Sequence, residues 1–186
     1  MIDFVFPEGN EQKFIQTAKR LGYSEICFVY SMKDFKKTQG DIKIYTAIAE
    51  SEKFDKAKQR ADFVITKAAD NARAAVERGK TDFIYGFEEG TKKDFIHYRN
   101  SGLNQVLCKL MKEKNVSYFL SITHILHSND PQFLGRAMQN IRLCRKFGVK
   151  IQFGSFATDP LEMKGANDVK SLMKVLGLSP QLPGTS

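Results

Sequence analysis

Seven short runs of apolar and β-branched residues, separated by segments with helical periodicity, set the main constraint on how this chain can fold. Each run is apolar at consecutive positions and lacks the alternation typical of a strand with one face in water. Strands of this kind are buried on both faces, as in a parallel sheet covered by helices. The alternation of runs and helical segments predicts an α/β protein with a parallel sheet, and both an open doubly wound sheet and a closed barrel fit it. The runs are Ile2–Phe6, Glu25–Tyr30, Ile42–Ala49, Asp62–Thr66, Asp82–Phe87, Val116–Ile122 and Lys150–Phe156.

The segments between the runs carry helix signals. Candidate N-cap residues, whose side chains can accept a hydrogen bond from the first turn, are Asn10, Ser51, Asp70, Ser101 and Asn167. Glycines follow three of the segments, at Gly22, Gly148 and Gly177, where a helix commonly ends. Two apolar stripes with helical spacing are Leu103, Val106, Leu107, Leu110 and Met111, and Leu134, Ala137, Met138, Ile141 and Cys144.

Length and composition predict one globular domain. The chain has 186 residues, with 42% hydrophobic and 27% charged residues, which suits a single core over residues 1–178. Residues 179–186 contain two prolines and a glycine and are expected to form a flexible tail. No apolar run is long enough to cross a bilayer, and the first residues lack the pattern of a secretion signal. We therefore expect a cytoplasmic protein with no membrane partner.

The three cysteines do not suggest a redox or metal site. Cys27, Cys108 and Cys144 lie far apart in the sequence, and no Cys-x-x-Cys pair is present. Cys27 falls in an apolar run, and the other two fall in helical segments. This distribution predicts buried, reduced thiols.

Positive charge is concentrated in one third of the sequence. The formal net charge is +8, and residues 95–158 alone carry nine Lys or Arg against two acidic residues, a net of +7. A localised basic field attracts nucleic acid or an anionic membrane, although a solvated surface of a protein without either partner can also carry it.

Two segments give this charge a pattern that favours RNA. Residues 131–158 contain no acidic residue, and the helical segment within them is expected to place Arg136, Gln139, Arg142 and Lys146 opposite its apolar stripe, with Arg145 closer to the stripe. Exposed helices usually pair Lys and Arg with Glu, so unpaired cations indicate an external anion. His97, Tyr98, Arg99 and Asn100 add groups suited to stacking on bases and to hydrogen bonding. The predicted RNA-binding residues are His97, Arg99, Lys109, Arg136, Arg142, Arg145, Lys146 and Lys150.

Motifs for catalysis are weak. The segment Arg78–Thr81 has the last residues of a phosphate-binding loop, but position 74 is alanine and the helix precedes the strand, so this reading fails. His124 and His127 are the sole close histidine pair, at the end of the sixth run; Glu50, Glu88 and Asp159 could join them only if the fold gathered them. We predict solvated loop histidines, no catalytic residue, no metal site and no cofactor.

The chain resembles the ribonuclease P protein component 3 family. The segments that carry the resemblance are His97–Lys109 with its continuation to Ser121, Gln139–Phe147 and Gly154–Ala157. It is most specific over residues 82–177 and looser before them. The resemblance implies a TIM-barrel-like (β/α) barrel of about seven parallel strands, regular or irregular, related to the polymerase and histidinol phosphatase barrels.

The resemblance also implies a function. Members of this archaeal family are subunits of a ribonucleoprotein endonuclease, a hydrolase that removes the 5′ leader during tRNA processing. The implied partners are the ribonuclease P RNA, precursor tRNA through the holoenzyme, protein component 2 and the other protein subunits; the RNA carries the chemistry. The related phosphatases bind metal through His-x-His after the first strand, and Phe4–Pro7 lacks it here. The alternatives are a metal-dependent phosphoesterase that uses His124, His127 and Glu88, and a scaffold that binds only proteins.

Overall fold

The computed structural model describes residues 1–50, 52–68, 72–89, 94, 96–97 and 99–178. Seven strands within these residues form one parallel sheet in which neighbours in sequence are neighbours in space. This order confirms the predicted TIM-barrel-like fold and excludes a doubly wound sheet, in which the strand order reverses. The strands are β1 (Ile2–Val5), β2 (Glu25–Tyr30), β3 (Lys43–Ala49), β4 (Phe63–Lys67), β5 (Phe83–Tyr85), β6 (Ser117–Ser121) and β7 (Ile151–Gly154).

Helices connect successive strands, except between β2 and β3, and pack on the outside of the sheet. Two short 3₁₀ helices, Phe87–Glu89 and Pro160–Glu162, lie in the segments that follow β5 and β7. The outer core, between sheet and helices, includes Ile48, Val64 and Ile84 from the strands and Met111 and Ile141 from the helices. The α-helices are α1 (Glu11–Arg20), α2 (Phe54–Arg60), α3 (Ala72–Glu77), α4 (Gln105–Glu113), α5 (Ile122–His127), α6 (Phe133–Phe147) and α7 (Ala166–Val175).

The barrel is joined between β1 and β7 at one end only. The Phe156 N–H donates to the Phe4 carbonyl at 2.8 Å, and the Phe6 N–H donates to the Ala157 carbonyl at 2.9 Å. Both bonds lie at the C-terminal ends of the two strands, and the strand ladder of the described residues does not continue below them. There the Asp3 side chain links the two strands, because its Oδ1 accepts the Ser155 N–H at 2.6 Å.

Phenylalanine side chains fill the interior of the barrel. Phe4 and Phe119 meet edge to face, with ring centroids 4.9 Å apart, and Phe119 stacks on Phe156 at 4.5 Å. A side chain on Gly154 would lie 2.7 Å from the Phe119 ring and 2.8 Å from Phe4 Cβ, so the ring packing requires glycine there. The Gly154–Ala157 segment therefore has a structural role in the core and in the closure of the barrel.

The helix caps differ from the prediction in detail. Asn104, and not Ser101, is the N-cap of α4, because its side chain accepts the Leu107 N–H at 2.9 Å. Gly102 does not open the helix; it lies before it, with a φ of 76°. Asn10 does occupy the N-cap position of α1 but makes no side-chain capping bond. The helix predicted to open at Asn167 starts one residue earlier, and the predicted caps Ser51 and Asp70 lie outside the described residues.

The apolar stripes were predicted correctly at most positions. Leu107, Met111, Ile141 and Cys144 are buried, whereas Val106 and Leu134 are 55% and 45% exposed. In α6 the adjacent Phe133 is buried in place of Leu134. These errors arise because the apolar stripe turns away from the sheet at the ends of a helix. The periodicity of the sequence does not show where this happens.

The cysteine prediction is confirmed for burial and for the absence of disulfides, since all three thiols are buried and free. None of the described helices combines the length and apolar composition needed to cross a bilayer. The predicted flexible tail, residues 179–186, lies outside the described residues.

Candidate RNA-binding surface

Arg136 lies inside the protein, so the prediction that it faces outward was wrong. Its side chain is 4% exposed. Its Nε donates to Asp94 Oδ1 at 2.9 Å, one Nη donates to Asp130 Oδ2 at 3.2 Å, and the other donates to Gln132 Oε1 at 2.9 Å. These bonds occupy the guanidinium within the protein, and we remove Arg136 from the set of predicted RNA contacts.

Asp94 links Arg136 to the loop that follows β5. Its Oδ1 also accepts the Asn100 N–H at 2.8 Å, and its Oδ2 lies 3.5 Å from an Arg99 Nη. Loss of hydration disfavours the charged carboxylate, but the Asn100 N–H and the Arg136 guanidinium outweigh it and hold the pKa of Asp94 below its usual range. Asp94 is therefore ionised at neutral pH and fixes the loop against α6.

Arg99 is held against α6 by its main chain as well as by its side chain. The Gln139 side chain accepts the Arg99 N–H at 3.2 Å and donates to the Arg99 carbonyl at 2.8 Å. The guanidinium lies over Gly135, since a Cβ there would be 2.5 Å from Arg99 Cζ. The side chain nevertheless remains 49% exposed, so Arg99 can present a preoriented guanidinium to an external anion.

A buried polar cluster supports the same loop from below. Asn140 Nδ2 donates to the Ser101 carbonyl at 2.9 Å and to Glu88 Oε1 at 3.0 Å, and Gln139 donates to the Ser101 hydroxyl at 2.7 Å. The Tyr118 hydroxyl is also hydrogen-bonded to Glu88 Oε1. Burial raises the pKa of Glu88 to about 7, against the lowering effect of the Asn140 bond. Much of the polar pattern between residues 99 and 104 is thus explained by packing of this loop onto α6.

The other predicted RNA-binding residues are exposed. His97 follows β5, Lys109 lies on α4, Lys150 precedes β7, and α6 carries three cations. Within the described part of the chain, none of the five Lys and Arg residues in this group makes an ion pair. The exposed residues of this group are His97, Lys109, Arg142, Arg145, Lys146 and Lys150.

The structure divides these residues between the two ends of the barrel. His97 and Arg99 lie beyond the C-terminal end of β5, whereas Lys150 lies at the N-terminal end of β7. The 15 residues of α6 connect the two regions, and a helix of that length spans about 22 Å. The exposed residues of the predicted RNA-binding set therefore lie on an elongated surface along α6 and the adjacent α4, and the cations are unequally spaced on it.

The candidate metal ligands have separate structural roles. His124 Nδ1 lies 3.0 Å from Glu89 Oε1. His124 and His127 were predicted to lie in a loop, but both lie on α5. Glu88 is buried within the polar cluster, and Asp159 caps a 3₁₀ helix. The described residues contain no group of three or more His, Cys, Asp or Glu that could hold a metal ion. The ligand set that a metal-dependent phosphoesterase would need is not assembled there.

Sequence comparison agrees with the predicted resemblance. No protein-family model matches the chain. Over 83 residues, the chain is 34% identical to ribonuclease P protein component 3 of Methanosarcina barkeri and 31% identical to that of Methanosarcina acetivorans. Each alignment covers 43% of this chain and 35% of the relative, so the match spans about a third of the relatives' length.

Comparison with solved structures confirms the fold. A chain in the cryo-electron-microscopy structure of an archaeal ribonuclease P with mature tRNA superposes with a TM-score of 0.76 at 23% identity, over 96% of this chain and 83% of the other. The histidinol phosphate phosphatase of Lactococcus lactis, solved with zinc, L-histidinol and phosphate, gives a TM-score of 0.62 at 15% identity, over 96% and 94%. Both are similar to this chain in fold.

Proposed function

We propose that this chain is an RNA-binding subunit of a ribonuclease P, and the 34% identity to a ribonuclease P protein component 3 over 83 residues supports this. In this role it assists removal of the 5′ leader from precursor tRNA and is not itself catalytic. The observation that carries the proposal is the set of exposed cations on α4, on α6 and just before β7 that make no ion pair with any described residue. Such cations neutralise backbone phosphates.

The proposed partners are the ribonuclease P RNA, precursor tRNA through the assembled enzyme, and other protein subunits, among them component 2. The archaeal ribonuclease P found in the structural comparison supports an assembly of this kind. The proposed compartment is the cytoplasm. A scaffold that binds only proteins would show no salt-sensitive affinity for RNA, so that measurement separates the two functions.

Binding of the cognate RNA over a series of salt concentrations tests the proposal. Each phosphate contact that is lost should lower the slope of log affinity against log salt by about 0.7–0.9. Arg142→Ala with Lys146→Ala should therefore weaken binding and lower the slope by about 1.4–1.8. Unaltered affinity in that variant would contradict the proposed surface.

The control variant must remove charge without disturbing the fold. Lys37 is exposed and suits this purpose. Lys36 does not, because its Nζ lies 2.6 Å from Oε1 of Glu11, a side chain that is only 7% exposed. Lys37→Ala should leave the affinity for RNA and its salt slope unchanged; an effect equal to that of the α6 variant would indicate binding by net charge alone.

The absence of catalysis by the chain itself is tested through its histidines. His124→Ala with His127→Ala should leave precursor-tRNA processing by the reconstituted enzyme within a few-fold of the unmodified protein, since the residues that the structure describes assemble no ligand set around them. A loss of several orders of magnitude with the fold intact would favour the phosphoesterase alternative. Stoichiometric zinc or manganese in the purified protein would do the same.

A further inference from the structure

A groove of about 800 Å³ lies along β1 and β7 at the N-terminal end of the barrel. It coincides with the part of the β1–β7 junction that the strand ladder leaves open. Its apolar lining includes Ile2, Ile151, Met173 and Leu178, all of them partly exposed. The groove is therefore an open, partly apolar surface where two strands fail to close.

Four cations from four different elements border this groove. They are Lys112 at the end of α4, Arg145 on α6, Lys150 before β7 and Lys170 on α7. All four are exposed, and among the residues that the structure describes none of them is in an ion pair. Cations in the last turn of a helix are common because they complement its dipole, but Lys150 precedes a strand and Lys170 is in mid-helix.

Two of these cations, on α4 and α6, lie beside the turns that follow α6 and α7. The Lys112 Nζ lies 3.8 Å from the position that a Cβ on Gly148 would occupy, and an Arg145 Nη lies 3.3 Å from the corresponding position on Gly177. Two carboxylates also line the groove: Glu25, whose Oε1 is 3.5 Å from Lys43 Nζ, and Asp3. The bordering charge is thus predominantly positive and suits a polyanion.

Asp3 supplies an unused acceptor in the wall of the groove. Its Oδ1 accepts N–H bonds from Ser155 at 2.6 Å and Phe4 at 2.9 Å. Its Oδ2 is buried and has no hydrogen-bond partner among the described residues. A buried acceptor without a donor costs free energy.

We propose that this groove binds an unpaired nucleotide segment of RNA, with backbone phosphates on Lys112, Arg145, Lys150 and Lys170 and a base against the apolar lining. Nucleobases carry an apolar face, which matches the apolar lining of the groove. The inference rests on the proposed RNA-binding function and locates it. It extends the proposed RNA-binding surface to the N-terminal end of the barrel, opposite to the end where TIM-barrel enzymes hold their active sites.

The test uses two probes of equal charge, a short unstructured oligouridylate and an abasic phosphodiester oligomer of the same length. The unmodified protein should bind the oligouridylate about fivefold or more tightly, because only that probe has bases for the groove. Lys112→Ala with Lys170→Ala should lower the salt slope by about 1.4, the value for two phosphates of a single strand. The matched control, Lys37→Ala with Lys174→Ala, removes the same charge outside the groove and should leave the slope unchanged.

Three outcomes would overturn the inference in distinguishable ways. If the groove variant behaves like its control while Arg142→Ala with Lys146→Ala weakens binding of the cognate RNA, the RNA lies elsewhere and the proposed function stands. If the unmodified protein binds neither the oligouridylate nor the cognate RNA, the proposed function itself fails. If both probes bind equally and poly-L-glutamate competes as well as either, the groove takes an acidic protein segment instead of nucleotides.

Discussion

Arg136 on α6 donates its Nε hydrogen to Asp94 Oδ1 at 2.9 Å, although 42 residues separate the two in sequence. This bond joins the loop after β5 to α6. Because Asp94 also holds the Asn100 N–H and lies beside the Arg99 guanidinium, the pair decides where the exposed Arg99 is placed. A residue that sequence patterning assigned to the RNA surface instead organises that surface from inside.

Arg136→Ala is expected to destabilise the protein by about 3–5 kcal/mol, because it removes one member of an ion pair whose side chains are only 4% and 14% exposed and leaves Asp94 without that partner. Urea unfolding measures the free energy of unfolding directly. The matched control is Arg142→Ala, which removes an exposed arginine from the same helix. It should change stability by less than about 0.5 kcal/mol. Equal stability of the two variants would show that the internal contacts of Arg136 contribute little.

Leu107→Ala should cost about 2–5 kcal/mol of stability, because Leu107 is 7% exposed and anchors α4 on the sheet. Val106 belongs to the same predicted stripe but is 55% exposed, so Val106→Ala should be nearly neutral. Thermal unfolding of the two variants checks both expectations. If Val106→Ala were as damaging as Leu107→Ala, the orientation of α4 in the structure would be wrong.

The sequence predicted the sheet well, since each strand is a continuous apolar run and its burial on both faces follows from composition alone. The seven observed strands fall within or overlap the seven predicted runs. Whether the sheet closes could not be derived from periodicity; it depends on contacts such as the Phe156–Phe4 hydrogen bond, between residues at opposite ends of the chain. The choice of a barrel came from the family resemblance.

The site was predicted less well, because burial of a polar side chain depends on partners that are distant in sequence. The segment around Arg136 contains no acid, which suggested an external anion, yet its carboxylate partner Asp94 lies in a different βα unit. Asn104 and Ser101 are both good N-cap residues, and only the path of the loop under α6 determines which one caps α4. Lys112 and Lys170 were missed because a groove formed by several elements has no signature in any one segment.

Glu88→Gln should make the stability of the protein less dependent on pH. Burial raises the pKa of Glu88 from 4.5 to about 7, so the folded state binds more protons than the unfolded state between these values. Stability therefore falls as pH rises from 4.5 to 7, by on the order of 3 kcal/mol from this group. Asp3, with a pKa raised by burial to about 6, adds a loss of the same sign between 3.8 and 6.

Urea unfolding at pH 5 and pH 8 measures this effect. Glutamine keeps the Oε1 acceptor for Tyr118 and Asn140, so the variant should match the unmodified protein at the lower pH and exceed it at the higher pH. Glu8→Gln, at an exposed position, should leave the pH dependence unchanged. A variant that is equally destabilised at both pH values would indicate that Glu88 acts through its shape and not through its charge.

Gly135→Ala tests whether the position of Arg99, and not only its charge, matters for RNA. A Cβ at residue 135 would lie 2.5 Å from Arg99 Cζ, so the flexible guanidinium must move away. Alanine is also about 1 kcal/mol better than glycine within a helix, so α6 should not lose stability. We therefore expect Gly135→Ala to keep or raise the melting temperature and to weaken RNA binding about as much as Arg99→Ala, whose melting temperature should also be unchanged. Binding of the cognate RNA and thermal unfolding, measured on both variants, check this.

If Arg99→Ala weakens binding while Gly135→Ala does not, Arg99 contributes as a mobile charge. If Arg99→Ala unfolds the protein and the folded fraction binds normally, Arg99 is a structural partner of Asp94 and not an RNA contact.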